Sequence, residues 1–186
     1  MNIKRMIGLM LAALLALTAC QTPGGKPDSV AASQIDSDAD AALQRLYAST
    51  PEARSLARRA KGILVFPGIV KAGFIAGAQY GKGVLLRNGR VAGYYNIVAG
   101  SYGLQAGVQS FDYAMFFMTG SALDYLNSSA GFEVGVGPSV VVVDAGIAKS
   151  LTTTTAKDDV YAFIFGQKGL MAGLGLQGSK ITRVNP

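Results

Sequence analysis

The chain predicts an α+β domain: an antiparallel, strongly curved or barrel-like sheet with N-terminal helices and one further short helix. Three observations carry that expectation. Apolar residues between about 43 and 60 recur at helical spacing, Asn88-Gly89 stands between two apolar runs, and from Gly62 onward short β-branched, aromatic and glycine-rich runs follow one another to the end. Many strands on short turns, with helices mainly in front, favour α+β over a parallel sheet with alternating helices.

Residues 20–35, rich in Gly, Pro, Ser and Ala, read as a flexible tether. Asp36, Ser37, Asp38 and Asp40 then open a helix, because acids near a helix start complement its dipole; Leu43, Leu46 and Tyr47 give it an apolar stripe to about residue 48. Thr50-Pro51-Glu52 begins a second helix with Thr50 as N-cap and Pro51 at the first helical position, running to Gly62. On it Arg54, Arg58 and Lys61 stand at i, i+4 and i+7 and form one basic face.

Strands are expected at 63–66 and 69–80, and again at 84–87 and 90–95, where Asn88-Gly89 marks a type I′ hairpin turn whose two central residues need positive φ. Further strands are expected at 101–109, 112–118, 131–136, 139–145, 159–166 and 169–176. Ser121 to Asn127 reads as a short helix capped by Ser121.

Gly73, Gly77 and Gly81 recur every four residues. In a membrane helix this is a packing face, but Lys71, Gln79 and Lys82 interrupt the segment, so a strand with three glycines on one side, free to bend sharply, fits better. A pattern of hydrophobic-x-Ala-Gly recurs at 74–77, 104–107 and 170–173 and suggests equivalent strand positions. Gly173-Leu-Gly175-Leu-Gln-Gly178 matches a dinucleotide fingerprint in letters only, since no helix and second strand can follow it; Gly77 to Gly83 lacks the spacing and hydroxyl of a P-loop.

The 186 residues contain no histidine and one cysteine. A histidine-activated nucleophile cannot be built, a zinc site lacks its usual ligands, and no intrachain disulfide can form. No catalytic residue, metal or other cofactor is therefore expected. A carboxylate enzyme stays open only if Asp112, Asp124 or Asp144 meet in one pocket.

The formal net charge is +6. From Arg45 to Arg90 nine basic residues (Arg45, Arg54, Arg58, Arg59, Lys61, Lys71, Lys82, Arg87, Arg90) face the single acid Glu52. Such a block attracts polyanions, lipid headgroups or nucleic acid.

The N-terminus decides between these. Lys4 and Arg5 precede the apolar run Met6 to Leu17, too short for a stable span, and Leu17-Thr18-Ala19-Cys20 resembles the lipobox of bacterial lipoproteins. That resemblance implies a signal peptide at 1–19, lipidation of Cys20 with palmitate among its acyl chains, and, since Gln21 rather than Asp follows, sorting to the outer membrane, facing the periplasm or the cell surface. The tether would then set a domain of residues 36–186 beside a bilayer, which favours headgroups over nucleic acid.

Lys61-Gly-Ile-Leu-Val-Phe-Pro67, Lys71-Ala-Gly-Phe74, Tyr80-Gly-Lys-Gly-Val-Leu85, Gly100 to Gln109 (GSYGLQAGVQ), Gly135-Val-Gly-Pro138 and Lys168-Gly-Leu-Met-Ala-Gly173 together resemble the SYLF lipid-binding domain family. The resemblance implies binding of phosphoinositide or other anionic lipid, actin association in some fungal members, and no enzyme activity. Actin would matter here only if the protein meets a host cell. The expected function is non-catalytic binding of anionic phospholipid through Arg54, Arg58, Lys61, Lys71 and Lys82, with Cys20 as lipid anchor; the alternative is a structural envelope protein whose glycine-rich sheet mediates self-association or protein contacts.

Overall fold

The computed structural model describes residues 27–128, 131–133, 137–143 and 157–185. Along them run α1 (Pro27–Ser49), α2 (Glu52–Ala57), β1 (Gly62–Arg87), β2 (Arg90–Phe117), α3 (Gly120–Leu126), β3 (Phe132–Glu133), β4 (Val140–Val143) and β5 (Val160–Val184). The class is α+β as expected, but the sheet is mixed. The order is β1-β2-β5-β3 with antiparallel pairing, and β4 pairs with β5 in parallel.

Three strands of 26, 28 and 25 residues dominate the molecule. The sequence reading cut β1 and β2 into three pieces each and β5 into two. The punctuation that suggested turns is bulges instead: Pro67-Gly68 lies between the pairs Phe66↔Tyr113 and Ile69↔Phe111, and Gly166 lies between Asp112↔Phe165 and Ser110↔Lys168. Gly68 and Gly166 take positive φ of 67° and 64°. The Asn88-Gly89 turn is as expected, with φ of 52° and 72°. The expected strands 131–136 and 139–145 are represented by β3 and β4; Gly131 and Ser139 precede these strands, and residues 134–136, 144 and 145 lie outside the described ones.

All three strands bend near the level of Ile75, and the sheet becomes a strongly curved half-barrel. At Gly73 an added Cβ would stand 2.5 Å from the Gly77 Cα, so the strand turns too tightly there for a side chain. Beyond the bend β1 returns toward its own start. A Cβ on Gly81 would lie 2.7 Å from Ile69, and one on Gly83 would lie 2.5 Å from the Val65 carbonyl oxygen. The three hydrophobic-x-Ala-Gly stretches meet at this level, where Phe74 pairs with Ala106 and Ala106 with Ala172.

Two cores follow from the alternation of strand residues. Inside the fold, Leu64, Phe66, Leu85, Tyr95, Ile97, Met115, Phe117 and Ile181 pack with Leu123 and Leu126 of α3 and with Phe132. Outside, Val65, Val84, Ala114, Phe116, Tyr161 and Phe163 are covered by Ala39, Ala42, Leu43 and Leu46 of α1 and by Ala53 and Leu56 of α2.

The helices differ from expectation in three ways. α1 starts at Pro27, so residues 27–35 continue the helix rather than the tether: Pro at the first turn loses no hydrogen bond, Asp28 follows it, and Ile35 packs against the outer core. α2 ends at Ala57, because past it the Lys61 amide donates to the Phe117 carbonyl at 2.7 Å and the chain has joined the sheet; Thr50 supplies a backbone acceptor but no side-chain cap. α3 is capped by Thr119, not Ser121. The Thr119 Oγ1 accepts from the Ala122 amide at 3.3 Å, while the Ser121 hydroxyl donates to Thr119 Oγ1 at 3.2 Å.

Candidate functional site

α1 orients the molecule. Its N-terminal residues Ala31 and Ile35 border Tyr80, Lys82 and Asn96, and the Tyr94 hydroxyl donates to Asp36 Oδ2 at 3.2 Å. Its C-terminal residues Leu43 and Tyr47 border Ile63, Leu86, Asn88 and Gly89. The helix therefore starts toward the bend and finishes at the hairpin turn.

The candidate cations divide between these two ends. Arg58 lines the groove beside Asn88-Gly89, where Arg87 and Arg90 flank the turn. Its guanidinium donates to the Ser55 hydroxyl at 3.1 Å, and Arg54 lies 5.4 Å over the Tyr47 ring. Burial raises the Tyr47 hydroxyl pKa, with Arg54 pulling the opposite way. Lys61 is exposed past the end of α2, so the expected continuous helical face is a helix, a turn and a strand start. Lys71 and Lys82 belong to the other end. Lys71 pairs with Gln109 on the concave side of the sheet, and Lys82 pairs with Asn96 on the outer side. The structure thus does not gather the five residues into one site. Cys20 lies outside the described residues.

The concave side holds a cavity of about 320 Å³, lined by Lys71, Gln79, Gln109, Gln167 and Ser179 with Ile97, Phe111 and Tyr113. Tyr113 stacks on Phe66 at its floor, and burial pushes its hydroxyl pKa up to about 12. The amides and one ammonium can hold a polar or anionic group by hydrogen bonds.

Sequence reasoning missed the outer side of the bend. Register and exposure place Val70, Phe74, Val98, Tyr102, Val108 and Leu170 there in the open, Leu170 at 88%, Phe74 at 75% and Tyr102 at 72%. Residues 72–81, 91–111 and 169–179 contain no Asp, Glu, Lys or Arg. Lysines bound two of these intervals, Lys71 and Lys82 on β1 and Lys168 and Lys180 on β5. The signal was present as an absence of charge, but without the pairing register it reads as three unrelated glycine-rich stretches.

The carboxylates do not assemble a catalytic pair among the described residues. Asp112 is buried under α1, held by Arg45 and by the Gly68 amide, while Asp124 is exposed on α3. Asp144 lies outside the described residues. Among the described residues no cluster of acids could hold a metal ion, and no helix is long and apolar enough to cross a membrane.

Comparison with curated proteins gives no match. A family model described as "Ysc84: Las17-binding protein actin regulator" matches residues 98–185, a stretch that takes in most of β2, α3 and all of β5. The match over residues 98–185 is to the Ysc84, or SYLF, family, the one that the sequence motifs resemble.

Proposed function

We propose that this protein is an outer-membrane lipoprotein, anchored through Cys20, whose SYLF domain binds anionic phospholipid headgroups and performs no catalysis. The observation that carries the reading is the charge pattern at the bend: an uncharged end of the sheet with Lys71, Lys82 and Lys168 at its margins. A basic residue near an anionic bilayer contributes about 1 kcal/mol, so a few lysines suffice to hold a domain that a tether already keeps close. Cys20 precedes Pro27 by seven positions, a reach of at most about 25 Å, and α1 starts toward the bend.

A second reading rests on the hairpin end. Arg54, Arg58 and Lys61, with Arg87 and Arg90, form an exposed basic group in which, among the described residues, no carboxylate ion pair is made. This group fits an anionic surface equally well in charge, but it lies at the far end of α1.

Vesicle sedimentation with the mature chain carrying Cys20→Ser, which removes the acyl anchor, decides between them. Binding should rise with phosphatidylglycerol content and fall with salt. Lys82→Glu with Lys168→Glu should weaken it by about tenfold or more, and Arg54→Glu with Arg58→Glu should leave it nearly unchanged. The reverse result selects the hairpin end; binding indifferent to lipid charge and salt overturns headgroup recognition altogether.

A further inference from the structure

We infer that the outer face of the bend enters the bilayer, its apolar side chains passing below the headgroups while the flanking lysines stay among the phosphates. The inference rests on the proposed membrane-surface function and adds the mode of contact, penetration rather than adsorption.

Several observations converge on a lipid occupant. The face presents Val70, Phe74, Val98, Tyr102, Val108 and Leu170 with no covering element among the described residues, whereas the rest of the same sheet side lies under α1 and α2. Large contiguous apolar exposure on a folded chain marks an interaction surface. The charges at its edge on β1 and β5 are all lysines, whose long apolar stems let a buried base coexist with an ammonium at the phosphate level. Tyr80 and Tyr102 add amphipathic rings of the kind that settle at a membrane interface.

The apex is also held open at a cost. Ile75 is a β-branched residue at φ 67°, a left-handed conformation that glycine would adopt freely, and it remains half exposed. Strain at a bulky apolar residue fits an apex whose side chain is used outside the fold. Finally, the N-terminal segment emerges on this side: α1 begins beside Tyr80 and Lys82, and the seven positions back to Cys20 keep an acylated cysteine and the bend on one membrane.

The chain contains no tryptophan, so one introduced indole reports its own surroundings. The mature, Cys20-anchored protein would carry Phe74→Trp, Leu170→Trp or, at the hairpin end, Val91→Trp, and be placed on vesicles of phosphatidylethanolamine and phosphatidylglycerol with brominated acyl chains. The probes at 74 and 170 should shift to the blue and be quenched by bromine, and the probe at 91 should do neither. Because the anchor keeps every variant on the vesicle, headgroup affinity does not enter this readout. Quenching at 91 alone overturns the inference and leaves headgroup binding by the arginine end standing. No quenching at any position overturns penetration and leaves surface adsorption to the Cys20→Ser assay. A blue shift at 74 that depends on protein concentration without lipid assigns the face to a second copy of the chain and overturns it as well. As an independent check, Phe74→Ser with Leu170→Ser should lower vesicle partition of the Cys20→Ser chain by roughly tenfold at unchanged salt dependence; an unchanged partition overturns the inference.

Discussion

Arg45 and Asp112, 67 positions apart, form an ion pair at 2.8 Å that fastens α1 to the sheet where β1 and β5 both bulge. The second carboxylate oxygen of Asp112 accepts from the Gly68 amide at 2.9 Å, and a Cβ on Gly166 would lie 2.7 Å from Asp112. One buried side chain thus fixes a helix and the two bulges beneath it. Asp112→Ala should destabilise the protein by about 3 kcal/mol in urea denaturation, because it leaves the Gly68 amide and the arginine without an acceptor. Arg45 is half exposed, so water screens its side of the pair, and Arg45→Ala should cost only about 1 kcal/mol.

Gly83 and Gly100 make opposite predictions for the same substitution. At Gly83 an added methyl would meet the Val65 carbonyl oxygen and the Phe66 ring, both at 2.5 Å, where β1 returns upon itself; Gly83→Ala should cost about 3 kcal/mol or more. Gly100 has nothing within 4 Å of the position, so Gly100→Ala should change the melting temperature little.

Tyr113 sets an alkaline limit. Its hydroxyl pKa is pushed up to about 12 by burial, against about 10 in an unfolded chain, so the fold favours the neutral phenol. The stabilisation is full below pH 10 and is lost as pH rises toward 12, where the unfolded chain has already released its proton. The loss should be on the order of 2 kcal/mol, and Tyr113→Phe should flatten that part of a denaturation-against-pH curve.

Ile75→Gly should stabilise the protein by a few tenths to about 1 kcal/mol, since relief of the left-handed strain outweighs the greater entropy of glycine in the unfolded chain. The same substitution removes an apolar side chain from the apex. A gain in urea midpoint with a loss of vesicle partition would separate the two roles of this residue.

Local chemistry was legible in the sequence where a few neighbouring residues decide the outcome. Asn88-Gly89 is such a case, since its turn type depends on two φ angles, and Gly73 with Gly77 is another. The long strands were not legible, because Pro67-Gly68 and Gly166 look the same whether they end a strand or bulge it. Only the partner strand tells the two apart. Asp112 read as one scattered acid because its partners, Arg45 and Gly68, come from distant parts of the chain. The basic block failed as a single site for the reverse reason: Arg58 and Lys71 are close in sequence, but β1 leads from one end of the molecule toward the other between them.

Strands that pass unbroken through the bend leave the molecule without a dividing line. Each of the three strands contributes to the sheet on both sides of the bend, so the two sides share every long strand of the half-barrel. A protease cut at the bend would sever the backbone of every core strand it touched, and no half of the chain should survive as a folded fragment. The pairing of β1 with β2 closes progressively wider loops from the Asn88-Gly89 turn outward, and β5 has no such turn to start from, since even its nearest pair with β2, Phe117↔Val160, joins distant parts of the chain. Folding should therefore be slow and all-or-none, beginning at that turn and ending at the strand that arrives last.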